Sequence, residues 1–261
     1  MKNFVEAAAE ARETFRKEPP FIKIDSPKIL VVGDTHGDVD SSEKALELGD
    51  EIGAVVVFLG DYVDRGPYQI ENITILFERK AAEPDKLFLL RGNHETLTMN
   101  TYYGFLDVVS KRLGINSYRT CLEAFTQMPY ALLWRNVFCV HGGLPKGLEE
   151  ISQLDKLPKG EEDPEDSIGF QLLWNDPREN IRGFAESWRG GGALYFGGDV
   201  LTEFMEKNRL RLFVRSHEPM PEGYRYLFGG RLLTVFSCRY YSVPPKAAVL
   251  SADEVEMVSL S

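Results

Sequence analysis

Four histidines are all that this chain of 261 residues contains, and each stands among residues that suit a metal site. His36 lies in Gly33-Asp34-Thr35-His36-Gly37, and His94 in Arg91-Gly92-Asn93-His94-Glu95. His141 opens His141-Gly142-Gly143, and His217 lies in Arg215-Ser216-His217-Glu218. Histidine is the commonest side-chain metal ligand and the usual acid or base near neutral pH. Asp34 and His36 are two apart, so on a regular strand they face the same side. With Asp61, Asn93, His141 and His217 they make a mixed oxygen and nitrogen shell without sulfur. That shell suits Mn, Fe, Zn or Co rather than Cu(I) or an iron–sulfur cluster. Six ligands are too many for one tetrahedral zinc site and enough for two divalent ions sharing a carboxylate. Two ions about 3.5–4 Å apart clamp an in-line displacement at phosphorus and bring the pKa of a bound water down to about 7. The chemistry implied is hydrolysis of a phosphate ester without a covalent intermediate.

His94 follows Asn93 directly, so its ring points differently from the ligand's side chain. It is in reach of a role as general acid on the leaving oxygen, and such a group needs an orienting partner. Asp64, in Gly60-Asp61-Tyr62-Val63-Asp64-Arg65-Gly66, is the candidate. Arg65 and Arg91 supply planar forks that match phosphate oxygens. Each motif has a plain structural alternative. A lone Asp-x-His pair is often surface or structural, Arg-Gly-Asn-His-Glu can be a tight turn, and the arginines can sit in structural ion pairs. The functional reading rests on three complementary motifs that end three successive expected strands. There is no CxxxxxR loop and no Walker glycine-rich loop, which argues against phosphocysteine and nucleotide-kinase chemistry.

Those strands are Ile29 to Val32, Ala54 to Leu59 and Leu87 to Leu90. Helices are expected between them over Ser41 to Ile52, with Ser41 or Ser42 as cap, and over Tyr68 to Ala82. Strand, polar glycine-rich loop and helix in alternation imply parallel βαβ units, whose sites gather at the carboxyl ends of strands. An amphipathic helix over residues 3–17 precedes them, ended by Pro19-Pro20. Residues 96–136 read mostly as helix, and Val137 to Val140 as a fourth strand leading to His141. The acidic, proline-bearing stretch 146–167 reads as an exposed connection. Arg211 to Val214, Tyr224 to Phe228, Arg231 to Phe236, Ala247 to Leu250 and Glu254 to Leu260 are short strand-like runs, with Gly229-Gly230 as a hairpin signal. A single domain, 1–261, with an antiparallel C-terminal part fits this pattern.

Apolar residues make up 43% of the chain, enough for a sizeable core, and the net charge of -10 argues against a general nucleic-acid binder. Three separate cysteines, without CxxC spacing, exclude a disulfide framework. Cys139 reads as a small buried hydrophobe. No apolar signal core and no stretch of membrane-spanning length is visible, so the expectation is a cytoplasmic protein that does not bind membranes.

GDTHGD (33–38), GDYVDRG (60–66), RGNHE (91–95), HGG (141–143) and RSH (215–217) together resemble the signature runs of the PPP-type serine/threonine protein phosphatases, within the metallophosphoesterases. The resemblance runs from Phe15 to about Ser259. It implies an α/β fold: a central β-sandwich of mixed sheets flanked by α-helices. It implies two divalent metals, Mn, Fe or Zn, one held by Asp34, His36 and Asp61, the other by Asp61, Asn93, His141 and His217, with Asp61 bridging. His94 is then the general acid, oriented by Asp64, and Arg65 a phosphate-binding residue. LLWNDP (172–177) resembles the family's LLWSDP, which puts Arg189 at a second phosphate-binding position. Phe236-Ser237 matches the start of the family's FSAPNYC, which puts Tyr241 at an active-site tyrosine.

The chain departs from the family at Thr35, at RSHEP, near Gly190-Gly191-Gly192, and at FSCRYYS (236–242), where Cys238, Arg239 and Tyr240 replace Ala-Pro-Asn. Relative to the family it is shortened just after Tyr241. The activity implied is hydrolysis of phosphoserine or phosphothreonine in phosphoprotein substrates by direct attack of a metal-bridging hydroxide. The alternatives are a phosphoesterase for dinucleoside polyphosphates or other small phosphates, and a binding module that has lost catalysis. Regulatory subunits are not identifiable from the sequence.

Overall fold

A computed structural model describes residues 3–252 and 254–261. Helix α1 (Phe4–Lys17) leads into strands β1 (Phe21–Ile24) and β2 (Ile29–Val32). Then come α2 (Val39–Glu51), β3 (Val55–Phe58), α3 (Gln69–Ala82) and β4 (Leu87–Leu89). Three short helices follow, α4 (Leu97–Tyr103), α5 (Phe105–Leu113) and α6 (Ile115–Thr126), and then β5 (Ala131–Trp134) and β6 (Val137–Val140). Helix α7 (Ser167–Trp174) precedes β7 (Asp176–Pro177), β8 (Phe184–Glu186) and β9 (Leu194–Phe196). The chain ends with α8 (Gly198–Lys207), β10 (Leu212–Arg215), β11 (Tyr224–Leu227), β12 (Leu232–Val235), β13 (Lys246–Leu250) and β14 (Val255–Ser259).

The strands form one sheet in the order β1-β5-β6-β10-β12-β11 and a second in the order β14-β13-β2-β3-β4. Both are mixed. In the second, β2, β3 and β4 run parallel, as the βαβ pattern demands, while β13 pairs antiparallel with β2 and with β14. The two sheets face each other. Alternation along β2 shows why: Ile29 and Val31 point into the layer shared with Trp134, Cys139 and Val214, while Leu30 and Val32 point outward under the helices. Helices α1, α3 and α6 cover one outer face through Phe15, Phe77 and Phe125. Helices α7 and α8 cover the other through Leu172, Leu173 and Phe204. Each buried phenylalanine stabilises this packing by roughly 1.5–3 kcal/mol. No helix among the described residues is long and apolar enough to cross a membrane.

The C-terminal part is not antiparallel throughout, since β10 runs parallel to both β6 and β12 after the crossover that contains α8, and local chemistry departs from the sequence expectations in four further places. The cap of α2 is Asp38, which accepts from the Ser41 amide and hydroxyl, so Ser41 and Ser42 lie inside the helix. A carboxylate one position after Gly37 outcompetes the serines because Gly37, at φ 75°, turns the chain before them. The stretch 96–136 ends in a strand, because the alternating Ala131 to Trp134 run completes an antiparallel pair with β6. β1 and the small three-stranded sheet β7-β9-β8 were not expected. The stretch 146–167 is not merely exposed. Leu148, Leu154 and Leu157 are buried, and the Lys159 ammonium donates to the carbonyls of Phe15, Glu18 and Gln127.

Candidate metal centre and cleft

The strand ends bring the six candidate ligands together. Asp34 and His36 follow β2, Asp61 follows β3 and Asn93 follows β4; from the facing sheet, His141 follows β6 and His217 follows β10. An isolated parallel bridge between Asp34 and Phe236 joins the two sheets at this edge. Such convergence needs unusual backbone. Five of the nine described non-glycine residues with positive φ are here: His36, Asp61, Asp64, Arg65 and His217, with φ between 42° and 71°. Each costs on the order of 1–3 kcal/mol and must be held by its surroundings. Gly92 is obligatory for the same closeness, since a Cβ there would lie 2.2 Å from Asp61 Oδ1.

Ring orientation is set from behind. His36 Nδ1 contacts the Val63 carbonyl at 2.8 Å and His141 Nδ1 the Leu59 carbonyl at 3.1 Å. A proton on each Nδ1, donated to the carbonyl, leaves each Nε2 lone pair facing the cluster, an arrangement typical of ligand histidines. His36 Nε2 is then 3.6 Å from Asp61 Oδ2 and 3.8 Å from Asp34 Oδ2. His141 Nε2 is 2.9 Å from Asn93 Oδ1, 3.0 Å from His217 Nδ1 and 3.4 Å from Asp61 Oδ1. Most of these atoms can only accept, so their approach calls for a cation between them. His217 Nε2 is buried and has no hydrogen-bond partner among the described residues.

Electrostatics agree. Burial raises Asp34 to about 6, and burial together with the Asp34 charge raises Asp61 well above the usual carboxylate range. Burial holds all four imidazoles well below their ordinary value. The charges of Arg65 and Arg215 do not outweigh the burial of these two carboxylates, which face neutral rings, and divalent cations would. Two divalent ions fit this donor set. Two triads bring their ligand atoms within 4.8 Å of one another: Asp61, His141 and His217, and His36, Asp61 and His94. The second includes His94 where the sequence reading has Asp34. Asp34 Oδ1 is occupied by the Ser216 hydroxyl and the His217 amide, which leaves its Oδ2 toward His36.

His94 differs from the other three rings. Its Nδ1 lies 2.8 Å from Asp64 Oδ2, and its Nε2 is 4.0 Å from Asp61 Oδ2. Asp64 is itself fixed by the Phe105 amide and the Asn100 side chain, and burial raises it to about 6. A cleft of about 250 Å³ opens onto the cluster, lined among others by Arg65, Arg189, Tyr103, Tyr241, Trp174 and Trp188. Arg65 lies over the Tyr103 ring at 4.3 Å and 5.6 Å from the Tyr241 ring, and Tyr241 tilts against His36 at 5.5 Å. Arg189 Nε is held by Asp176 Oδ2 at 2.7 Å.

Arg91 is the misplaced expectation. It is fully buried, and its guanidinium donates to the carbonyls of Glu95, Glu161 and Glu162. Its fork ties the ligand loop to the acidic stretch and does not reach the cleft. Three supporting residues were not foreseen. Glu95 accepts the amides of Asp61, Tyr62 and Gly92, Ser216 holds Asp34, and Asn100 holds Asp64 and the His94 carbonyl. The only signal for Glu95 was a carboxylate closing a glycine-asparagine turn.

The family model of the calcineurin-like phosphoesterases matches residues 27–221. A Saccharomyces cerevisiae protein serine/threonine phosphatase with similarity to human phosphatase PP5 superposes with a TM-score of 0.87 at 30% identity, over 98% of this chain and 89% of that one. A cold-active protein-tyrosine phosphatase of a psychrophilic Shewanella shares the fold, with a TM-score of 0.66 at 17% identity, over 95% of this chain and 84% of that one.

Proposed function

Because this chain belongs to the calcineurin-like phosphoesterases, we propose that it hydrolyses phosphoserine and phosphothreonine in phosphoprotein substrates. The observation that carries the reading is the cluster of proton-poor acceptors around Asp61, open to a cleft that holds both arginines and the His94–Asp64 pair. The protein-substrate part is supported by likeness to the yeast serine/threonine phosphatase across nearly the whole chain.

In this reading Asp34, His36 and Asp61 hold one divalent ion, and Asp61, Asn93, His141 and His217 hold the other. Mn, Fe or Zn suits the donors. When bound, such ions supply hydroxide at neutral pH and offset charge on the phosphoryl group. The chain's own groups do the rest. Arg65 and Arg189 take the phosphoryl oxygens, Arg65 steadied by the Tyr103 and Tyr241 rings and Arg189 by Asp176. His94 donates the Nδ1 proton to Asp64, which aims Nε2 at the departing side-chain oxygen, where it delivers the other proton. An acid here needs the doubly protonated ring, and the Asp64 carboxylate favours that form against the burial that otherwise keeps His94 neutral.

The test sets metal-loaded protein on phosphoserine, phosphothreonine and phosphotyrosine peptides and on diadenosine tetraphosphate side by side. The expected order of kcat/KM places phosphoserine and phosphothreonine peptides first. A strong preference for the dinucleotide would overturn the protein-substrate reading while leaving the metal centre standing.

A further inference from the structure

Among the large apolar side chains facing the cleft, Trp188 stands out by its exposure. It lines the cleft beside Arg189 and yet is 77% exposed, whereas Phe236 is buried. Exposed indole is a large apolar surface held in water, and a tryptophan face in that state is a characteristic anchor for a partner's side chain.

Its backbone is not loose. Trp188 sits in the turn between β8 and β9, where the Ser187 amide donates to the Ala193 carbonyl. The Gly190 amide donates to Ser187, and the Ala193 amide to Gly190. Gly190, Gly191 and Gly192 all have positive φ, between 64° and 98°, which lets the turn reverse within so few residues. The turn lies against α7, with the Phe170 ring next to Gly191 and Gly192. Arg189, the next residue, is fixed through Nε by Asp176, and its guanidinium lies 5.3 Å from the Trp188 ring centre. The loop therefore presents one aromatic face at a set distance from a phosphate-binding guanidinium, while the indole's remaining surface is in solvent. A group bound at Arg189 brings its covalent neighbours to that surface.

We propose that Trp188 is a specificity-determining residue that takes the apolar side chain flanking the phosphorylated residue of a substrate. This rests on the protein-substrate reading above. An apolar flank fits better than a cationic one, because the Arg189 guanidinium already lies against the ring and would repel a second cation there.

Two phosphoserine peptides test it, one with leucine on both sides of the phosphoserine and one with glycine on both sides. Each is assayed with wild-type, Trp188→Ala and Trp188→Phe protein. The wild type should prefer the leucine peptide by about tenfold in kcat/KM, expressed in KM. Trp188→Ala should bring the ratio close to one, and Trp188→Phe should keep most of it. The ratio within one variant is insensitive to any shift of Arg189, since both peptides carry the same phosphate. Absence of a preference in the wild type, or its survival in Trp188→Ala, overturns the inference and leaves phosphopeptide hydrolysis intact. If the wild type hydrolyses neither peptide but does cleave diadenosine tetraphosphate, the protein-substrate reading falls and this inference falls with it.

Discussion

The metal cradle and the cleft rim line one cleft and are built in opposite ways. In the cradle, Asp34, His36, Asp61 and His141 are fixed by buried, directional bonds. Asp61 is addressed from behind by Glu95 and from the side by the His94 amide, and Asp34 by Ser216 and the His217 amide. Strained backbone persists there because so many bonds determine it. On the rim, Trp188 projects from a short turn with much of its surface in water. The altered run 236–242 is anchored at its start by Phe236 and Ser237, and beyond them Arg239 reaches across to Asp38 and Asp40. The difference teaches a division of labour: groups that must be placed to tenths of an ångström are over-determined, and the side chain proposed to select among substrates is left free to be covered.

The comparison breaks most completely if the cradle can lose a ligand without consequence. Removing the ions with a strong chelator, or Asp61→Asn, should cut phosphate release by at least about a thousandfold, and add-back of Mn, Zn or Fe should restore only the wild type. Metal content by mass spectrometry and turnover on a phosphopeptide read both. The next largest effect belongs to the acid. His94→Asn should lower kcat by about 10²–10⁴-fold with KM little changed, and full metal content would separate it from a ligand loss. Asp64 sharpens this point through pH. Burial places its carboxyl at about 6, so as pH falls through about 6 it takes a proton and ceases to accept from His94. The kcat profile should therefore fall on the acid side near that value. Asp64→Asn should lose that limb as well as most of the rate, and an unchanged limb would show that another group titrates there.

The cradle was the more legible region, and the reason is local. A short β-branched run, a glycine that lets the chain turn and a ligand just beyond it all lie within a few residues, as in Ile29 to His36. Alternating helices then oblige β2, β3 and β4 to lie side by side. What holds the ligands was not legible, because it acts across long separations. Glu95 serves Asp61 and Tyr62, Ser216 serves Asp34, and Arg91 spends its fork on carbonyls 70 residues away. The rim was legible as composition only. Arg189 and Tyr241 follow from motif counting, but nothing in the string Ser187-Trp188-Arg189 says that the indole is exposed and the guanidinium tethered.

Glu95 tests whether the cradle's precision comes from behind. It is fully buried and accepts three amides. Glutamine in its place must turn its NH₂ toward at least one of those donors, leaving a buried amide without an acceptor. That costs about 1–3 kcal/mol. Glu95→Gln should therefore lower the urea midpoint, weaken metal retention and reduce kcat about tenfold. Unaltered metal affinity would show that Asp61 is positioned by its ions alone.

The smallest effect on activity should come from Lys159, in the stretch that reads from sequence as a solvated connection. Its ammonium collects the carbonyls of Phe15, Glu18 and Gln127, at 2.7, 2.6 and 2.8 Å. It thereby ties the end of α1 to the end of α6 and fixes the chain beside the Arg91 anchor. Hydrogen bonds to a charged donor contribute about 1.5–3 kcal/mol, and the carbonyls at a helix end otherwise need water or a cap. Lys159→Met should reduce unfolding free energy by about 1–3 kcal/mol, while kcat/KM on a phosphopeptide stays within about twofold of wild type. If activity falls in step with stability, the acidic stretch is part of the site's support and the line between rigid cradle and free rim must be redrawn to include it.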